Sequence, residues 1–209
     1  MSISSTYTQN INWSSSHEDQ RSLTYLNFGY DFGVVTQVGY GQNLNVLKPI
    51  IWTVDYSFPA GKNLVDDFKV RLGGQVLLCN KNNFMISAKA YGVFRRHQTK
   101  LVRMANLGFD MAAIIGYYKP KWHIATEIGF DKSILTHLKH SDIMRENASF
   151  IKDGWFSPSG GYYFYGIQGS KTIGNNCEIS LRVGATNAQF KDENALLPAY
   201  AQLGLIHTL

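Results

Sequence analysis

Apolar and polar residues alternate with a period of two along most of this chain. The clearest stretch is residues 122–131, in which Trp122, Ile124 and Ile128 alternate with small or charged residues such as Glu127. Successive side chains of a β-strand point to opposite sides of a sheet, so this pattern predicts a strand with one apolar and one polar face. Helical periodicity is nearly absent, and we therefore predict an all-β protein.

The alternation predicts a series of strands whose boundaries agree with the positions of proline. All five prolines lie at or next to a boundary, as expected because proline cannot donate to a β-ladder. The second segment is unusually long, and is either one extended strand or a hairpin that turns at residues 31–33. The predicted segments are residues 5–13, 22–41, 48–58, 67–79, 84–95, 102–118, 122–135, 159–171, 177–187 and 197–209.

The predicted connections between these strands differ in length in a regular way. Every second connection is short, while most of the others are longer. Antiparallel strands with tight turns at one end and longer loops at the other are typical of an outer-membrane β-barrel. The predicted outer loops are residues 14–21, 59–66, 96–101, 136–158 and 188–196, of which 136–158 is the longest.

The alternation alone leaves open whether the apolar face meets lipid or forms the core of a soluble barrel, since lipocalin-like barrels alternate as well. Three features favour lipid. The polar face is rich in glycine and small residues, which suit the crowded interior of a narrow barrel. Its charges nearly balance, and buried charges need partners. Aromatic residues recur near predicted strand ends, such as Tyr40, Tyr117 and Trp122 at short turns and Phe58 and Tyr163 at longer loops, as in the girdles of membrane barrels.

We therefore predict one domain over residues 1–209, a transmembrane antiparallel up-and-down β-barrel of about ten strands, with eight to twelve possible. The lumen of such a narrow barrel is just wide enough to be filled by side chains. We expect the charged residues of the polar face to form a salt-bridged plug there, with a narrow pore as the alternative. These lumen residues are Asp55, Arg71, Lys89, Asp110, Glu127, Asp131, Glu178 and Arg182.

The composition narrows the class of protein further. Charged residues make up 17% of the chain, against about 25% in an average soluble domain. The net charge of +5 is spread along the chain, which argues against a nucleic-acid partner. No apolar run is long enough for a transmembrane helix. The first residues lack the charged start and apolar core of a signal peptide, so we expect either a cytoplasmic chain or a mature chain whose signal peptide is absent.

Two cysteines, Cys79 and Cys177, are the only ones in the sequence. By the alternation, Cys79 falls on the polar face and Cys177 on the apolar face, which argues against a disulfide between them. We expect two free thiols and neither a metal site nor a cofactor built on them.

A basic cluster occupies one predicted outer loop and its flanks. Arg95, Arg96, Lys100 and Arg103 lie within the stretch FRRHQTKLVR, residues 94–103. Guanidinium groups bind phosphates in a bidentate manner, so this cluster is a candidate site for lipopolysaccharide or for an acidic partner protein. The alternative is a basic rim without a specific ligand.

The loop 136–158 opens with HLKHSD, which contains His137, His140, Ser141 and Asp142. His137, His140 and Asp142 are weak candidates for a divalent metal, and a histidine with Ser141 is a candidate for a lipid hydrolase. The spacing matches no established motif. We therefore expect a solvated loop and a protein that is not an enzyme.

Three stretches are similar to segments of uncharacterised outer-membrane barrels of the Bacteroidetes type: GYDFGVVTQVGYG (29–41), YKPKWHIATEIGFDKS (118–133) and DGWFSPSGGYYFYGIQ (153–168). The last segment, PAYAQLGLIHTL, resembles the C-terminal strand of bacterial outer-membrane barrels, although Leu209 stands where that family usually has an aromatic residue. The resemblance implies an outer-membrane location and no particular activity. We expect a structural or binding barrel that presents its loops to lipopolysaccharide or a partner protein, with a small-solute channel or a lipid-modifying enzyme as alternatives.

Overall fold

The computed structural model shows a closed β-barrel of ten long antiparallel strands. It describes residues 11–14, 22–30, 33–45, 48–59, 66–148, 150–157, 160–190 and 198–209. Within these ranges there are also one short accessory strand, β8, and one short helix, α1. The elements are β1 Ser22–Tyr30, β2 Val34–Asn45, β3 Pro49–Pro59, β4 Phe68–Lys81, β5 Phe84–Gln98, β6 Val102–Lys119, β7 Trp122–His140, α1 Asp142–Asn147, β8 Gly154–Phe156, β9 Gly161–Ile173, β10 Cys177–Ala188 and β11 Ala199–Thr208.

The strands pair with their neighbours in sequence, and the barrel closes through β1 and β11. The one exception is the place of β8. β7 pairs with β9 from Trp122 to Lys132, and further along the strand it pairs with β8 instead. β8 therefore extends the barrel wall on one side. The predicted architecture, a closed antiparallel up-and-down β-barrel of about ten strands, is confirmed.

The long predicted segment 22–41 is a hairpin, in which Tyr30 of β1 pairs with Val34 of β2. Asp31 and Phe32 lie outside the described residues. The predicted first strand, 5–13, is wrong where it can be checked, because residues 11–14 are not part of a strand and residues 5–10 are not described. The strand number stays at ten because the hairpin supplies the strand that this segment does not.

Connections alternate between the two ends of the barrel, and the three longest, 60–67, 141–160 and 189–198, all lie at one end. The turn end carries the connections 46–48, 82–83, 120–121 and 174–176, and the loop end carries 31–33, 60–67, 99–101, 141–160 and 189–198. At the turn 82–83, Asn82 and Asn83 both have positive φ, which suits a two-residue hairpin. The predicted outer loop 14–21 is not confirmed, since Ser14 and Ser22 both lie at the turn end and residues 15–21 are not described.

The outward face is apolar, as predicted. Leu72, Ile115 and Ile128 are 59%, 52% and 64% exposed. The assignment of Cys79 to the polar face is wrong, because the ladder shifts between Leu77 and Cys79 and places Cys79 opposite the outward Ile86. Cys79 and Cys177 both face outward and are free.

Aromatic side chains form contacts on the outward face near both ends. At the turn end, Tyr117 contacts Phe84 and Trp122 with ring centroids 5.2 and 5.9 Å apart. At the loop end, Phe130 contacts Phe109 and Tyr163 at 6.3 and 4.7 Å. These two belts border the apolar band of the barrel.

No helix in the described ranges is long and apolar enough to cross a membrane.

Candidate functional site

The lumen at the turn end is filled by apolar side chains. Ile11 and Trp13, which precede β1, are 4% and 7% exposed and pack inside the barrel. Between them, Asn12 donates from Nδ2 to the carbonyl oxygen of Lys119 at 3.1 Å. The wall side chains of this cluster are Ile51, Met85, Ile114, Tyr118 and Ala125. The N-terminal segment therefore closes this end of the lumen.

The middle of the lumen contains an ion network centred on Arg71. Its guanidinium donates to both carboxylate oxygens of Asp55, from Nε to Oδ1 at 3.0 Å and from Nη2 to Oδ2 at 2.8 Å. Arg71 Nη1 lies 3.5 Å from Asp110 Oδ2. The Tyr25 hydroxyl donates to Asp55 at 3.0 Å, and Tyr91 lies against the guanidinium at 4.9 Å. All three ionic side chains are fully buried.

A second network is centred on Glu127. Lys89 Nζ donates to Glu127 Oε2 at 2.9 Å, and Arg182 Nε and the Tyr200 hydroxyl donate to Oε1, the latter at 2.8 Å. The Arg182 guanidinium lies 4.2 Å from the centroid of the Tyr200 ring, and Phe164 is packed against both cations. One carboxylate thus serves two buried cations.

Towards the loop end, Arg95 forms an ion pair with Asp131 and donates to Asn106 at 3.1 Å. The sequence predicts Arg95 in the outer basic cluster, and this is wrong, because the side chain points inward and is 3% exposed. Glu178 accepts a hydrogen bond from Ser170 at 2.9 Å. The eight predicted lumen charges all face inward.

The buried charges balance. Among the described residues, five basic and five acidic side chains are buried: Lys69, Arg71, Lys89, Arg95 and Arg182, with Asp55, Asp110, Glu127, Asp131 and Glu178. Burial of an isolated charge is costly, whereas paired charges in a filled lumen are tolerated. The lumen is therefore a packed ionic core in this structure.

Glycines of the inward face make room for the tyrosines of these networks. A Cβ at Gly184 would lie 2.2 Å from the Tyr200 hydroxyl, and a Cβ at Gly39 would lie 2.2 Å from the Tyr25 ring. Each tyrosine therefore occupies the space beside a glycine of the adjacent strand, and its hydroxyl donates to a carboxylate. Sequence reasoning noted the small residues but missed the roles of Tyr25, Tyr91 and Tyr200, which no charge pattern indicates.

The other three basic residues of the stretch 94–103 form an outer basic strip at the loop end together with a lysine of β7. This strip is defined by Arg96, Lys100, Arg103 and Lys139. Lys100, Arg103 and Lys139 are exposed, and Arg96 is partly exposed. Gln98 Oε1 accepts from Arg96 Nη2 at 3.1 Å and from Arg103 Nε at 2.9 Å, which holds the two guanidinium groups side by side. Arg103 and Lys139 are directly opposite each other on β6 and β7.

A cavity of about 400 Å³ lies between the turn 99–101 and the start of α1. Lys100, Arg103, Lys139, Ser141 and Arg145 are among its lining residues. The structure thus brings the two polar stretches singled out in the sequence, 94–103 and 137–142, to one place. In the described part of the chain, no carboxylate lies within ion-pair distance of Lys100, Arg103 or Lys139.

His140 and Asp153 hold the loop that follows β7. The backbone amide and the ring Nδ1 of His140 both contact Asp153 Oδ1, at 2.8 and 2.7 Å. The pKa of Asp153 is lowered from its ordinary value, first by the hydrogen bond from this backbone amide and then by the His140 side chain. Arg145 lies 3.7 Å from the same carboxylate.

The predicted metal candidates do not converge. His137 stacks edge to face on Trp155 at 4.9 Å, and Asp142 forms an ion pair with Arg145. In the ranges that the structure describes, no three His, Cys, Asp or Glu side chains are placed to hold a metal ion. Ser141 caps α1, accepting from the Met144 amide at 3.3 Å.

No protein-family model matches the chain, and no curated protein is similar to it in sequence. Several solved structures are similar in fold, among them two of one porin. The KdgM porin is 9% identical with a TM-score of 0.45, and the KdgM porin in complex with disordered oligogalacturonate is 9% identical with a TM-score of 0.43. Each match covers 90% of this chain and 99% of the other chain. The resemblance to barrels of the Bacteroidetes type stays a prediction.

Proposed function

We propose that this chain is a non-enzymatic barrel of the outer membrane of a Gram-negative bacterium, which binds lipopolysaccharide at its outer basic strip. The observation that carries the proposal is the division of its charges into two sets. The lumen charges are buried and balanced, whereas Lys100, Arg103 and Lys139 are exposed without a carboxylate partner in the described ranges.

The filled lumen supports a structural and binding role over transport. A solute path along the axis has to pass the Arg71 and Glu127 networks and the apolar cluster around Trp13. Separating the partners of a buried ion pair costs several kcal/mol, since each charge is left without compensation. The Glu127 network also links strands that do not pair directly with each other, because Lys89, Glu127 and Arg182 lie on β5, β7 and β10.

The outward surface supports the membrane location. The apolar band lies between two aromatic belts, as in barrels that contact hydrocarbon along this height. Longer loops are extracellular in such barrels, which puts the outer basic strip beside the phosphates of the outer leaflet.

Two measurements test this proposal. Planar bilayers with the refolded barrel should show no stable conductance steps, and the purified barrel should retain lipopolysaccharide. Replacing Arg96, Lys100 and Arg103 with glutamine should weaken this retention, while replacing Lys171, an exposed lysine at the turn end, should not. Regular conductance steps together with unchanged retention would refute the proposal.

A small-solute channel is the second candidate function. One of the barriers to transport described above, the apolar cluster at the turn end, is completed by Ile11 and Trp13, which belong to a segment that precedes β1 and is not part of the barrel wall. If this segment is a displaceable plug, the double variant I11S/W13S should show conductance that the wild-type barrel lacks. Equal silence of both proteins would remove this candidate.

A partner protein is the other candidate ligand of the loop end. Ile143, Phe150 and Trp155 are 64%, 83% and 60% exposed there. Large exposed apolar side chains beyond the membrane band are typical of protein contact surfaces. Cross-linking from this surface in intact cells would identify such a partner.

A further inference from the structure

The outward face of β5 carries small residues at successive positions. Ala88, Ala90 and Gly92 follow one another on this side, and Gly74 of β4 and Ala113 of β6 lie beside them. Together with larger neighbours they line a groove of about 770 Å³ on the outside of the barrel. Few polar atoms line the groove, and it lies within the apolar band between the aromatic belts.

The groove and the outer basic strip share one wall of the barrel. Ala90 and Arg96 face outward on the same strand and are six positions apart along β5. This is about 20 Å along a strand and about 15 Å along the axis of a tilted barrel. Phe94 of β5 and Leu107 of β6 face outward between them. An extended hydrocarbon chain that begins at the strip therefore reaches the groove.

The strip is arranged for an anion. Gln98 fixes the guanidinium groups of Arg96 and Arg103 beside each other, and Lys139 is the cross-strand neighbour of Arg103. Like charges directly opposite each other destabilise a sheet unless a counter-charge is present. Phosphate groups match this geometry, since guanidinium groups bind them in a bidentate manner.

We propose that the groove and the strip form a single lipid site for one lipopolysaccharide molecule of the outer leaflet. Its phosphates contact Arg96, Arg103 and Lys139, and one of its acyl chains lies in the groove over Ala88 and Ala90. This inference rests on the proposed function and adds a located acyl chain to it. Charge complementarity at the head and the apolar groove below it on the same wall select a lipid that carries phosphate.

The test uses the full chain refolded in detergent, with bisphosphorylated lipid A as the probe and native mass spectrometry as the readout. The strip variant is R103Q/K139Q and the groove variant is A88L/A90L. Matched controls are K171Q, an exposed lysine at the turn end, and A201L, an exposed alanine of β11 on the opposite wall. Heat-modifiable migration on a gel shows whether each variant is folded. If A88L/A90L does not fold, A113L is used as the groove variant instead.

Each charge lost beside an anionic lipid should weaken binding about fivefold, so R103Q/K139Q should bind lipid A about 25-fold more weakly. Filling the groove should weaken binding about tenfold, since several methylenes lose their contact. The controls should stay within about twofold of the wild type. Weaker binding by the strip variant alone overturns the groove and leaves the proposed function standing. Unchanged binding by both variants refutes both, and equally tight binding of phosphatidylglycerol overturns the assignment to lipopolysaccharide.

Discussion

Replacing Glu127 with glutamine should be among the most damaging single changes in the lumen. The carboxylate is fully buried and accepts from Lys89, Arg182 and Tyr200. The Glu127→Gln variant keeps the shape of the side chain but leaves two buried cations facing a neutral amide. Because removing one partner of a buried ion pair costs about 3–5 kcal/mol, we expect a loss of this size in the free energy of unfolding.

The assay is urea unfolding of the barrel in lipid vesicles, followed by tryptophan fluorescence and gel migration. Glu146→Gln, on the exposed face of α1, is the matched control and should change stability by less than about 0.5 kcal/mol. The double variant K89M/E127Q removes one charge of each sign, so it should be more stable than E127Q alone by at least about 1 kcal/mol. A loss below about 1 kcal/mol for E127Q would show that water reaches the network, and the description of the lumen as a packed ionic core would be wrong.

Two further predictions concern the glycines and the loop after β7. Gly184→Ala should destabilise the barrel by about 2 kcal/mol or more in the same urea assay, because the new Cβ would lie 2.2 Å from the Tyr200 hydroxyl. Gly92→Ala serves as the control, since its Cβ would meet nothing closer than 3.7 Å. Equal stability of the two variants would contradict the packing of Tyr200. The pKa of Asp153 is lowered in the folded state, so its hydrogen bonds to His140 stabilise the loop above the ordinary value of 3.8 and are lost as the pH falls below it. The amides of residues 141–148 and 150–156 should therefore lose protection, measured relative to the intrinsic exchange rate at each pH, below about pH 4 in the wild type and not in Asp153→Asn. The same pH profile of protection in both proteins would refute this.

The fold could be predicted from the sequence because one rule governs most of it. A strand in a narrow closed membrane barrel has an apolar outer face and a polar inner face. Whether a residue has an odd or an even position along the strand therefore decides whether its side chain faces outward or inward. This is why Asp55, Arg71, Lys89 and Glu127 all lie where alternation places them. The pairing partners of these charges could not be predicted, because they depend on the stagger between strands that are distant in sequence. Lys89 and Glu127, for example, are 38 positions apart.

This alternation rule fails where the pairing between two strands is irregular, as it is between β6 and β7. Between Leu107 and Gly108 the register with β7 shifts past Ile134, so the residues of β7 beyond this point change sides. His137 and Lys139 then face outward, opposite Ala105 and Arg103. The sequence predicts that this strand ends at residue 135 and that Lys139 lies in the loop 136–158, whereas β7 continues to His140. The contribution of Lys139 to the basic strip therefore could not be predicted.

The bulge of β7 and the FRRHQ stretch together explain how the barrel keeps the charges of its lumen balanced while its outer surface at the loop end is positively charged. Arg95 and Arg96 are adjacent in sequence, but on a strand they point to opposite sides. Arg95 enters the lumen and neutralises Asp131, while Arg96 faces outward and joins Arg103 through Gln98. Because the bulge also turns Lys139 outward, the outer wall gains a cation without adding one to the balanced lumen. A lumen with an uncompensated charge would be destabilised, so the outer strip can gain positive charge only on residues that face away from it.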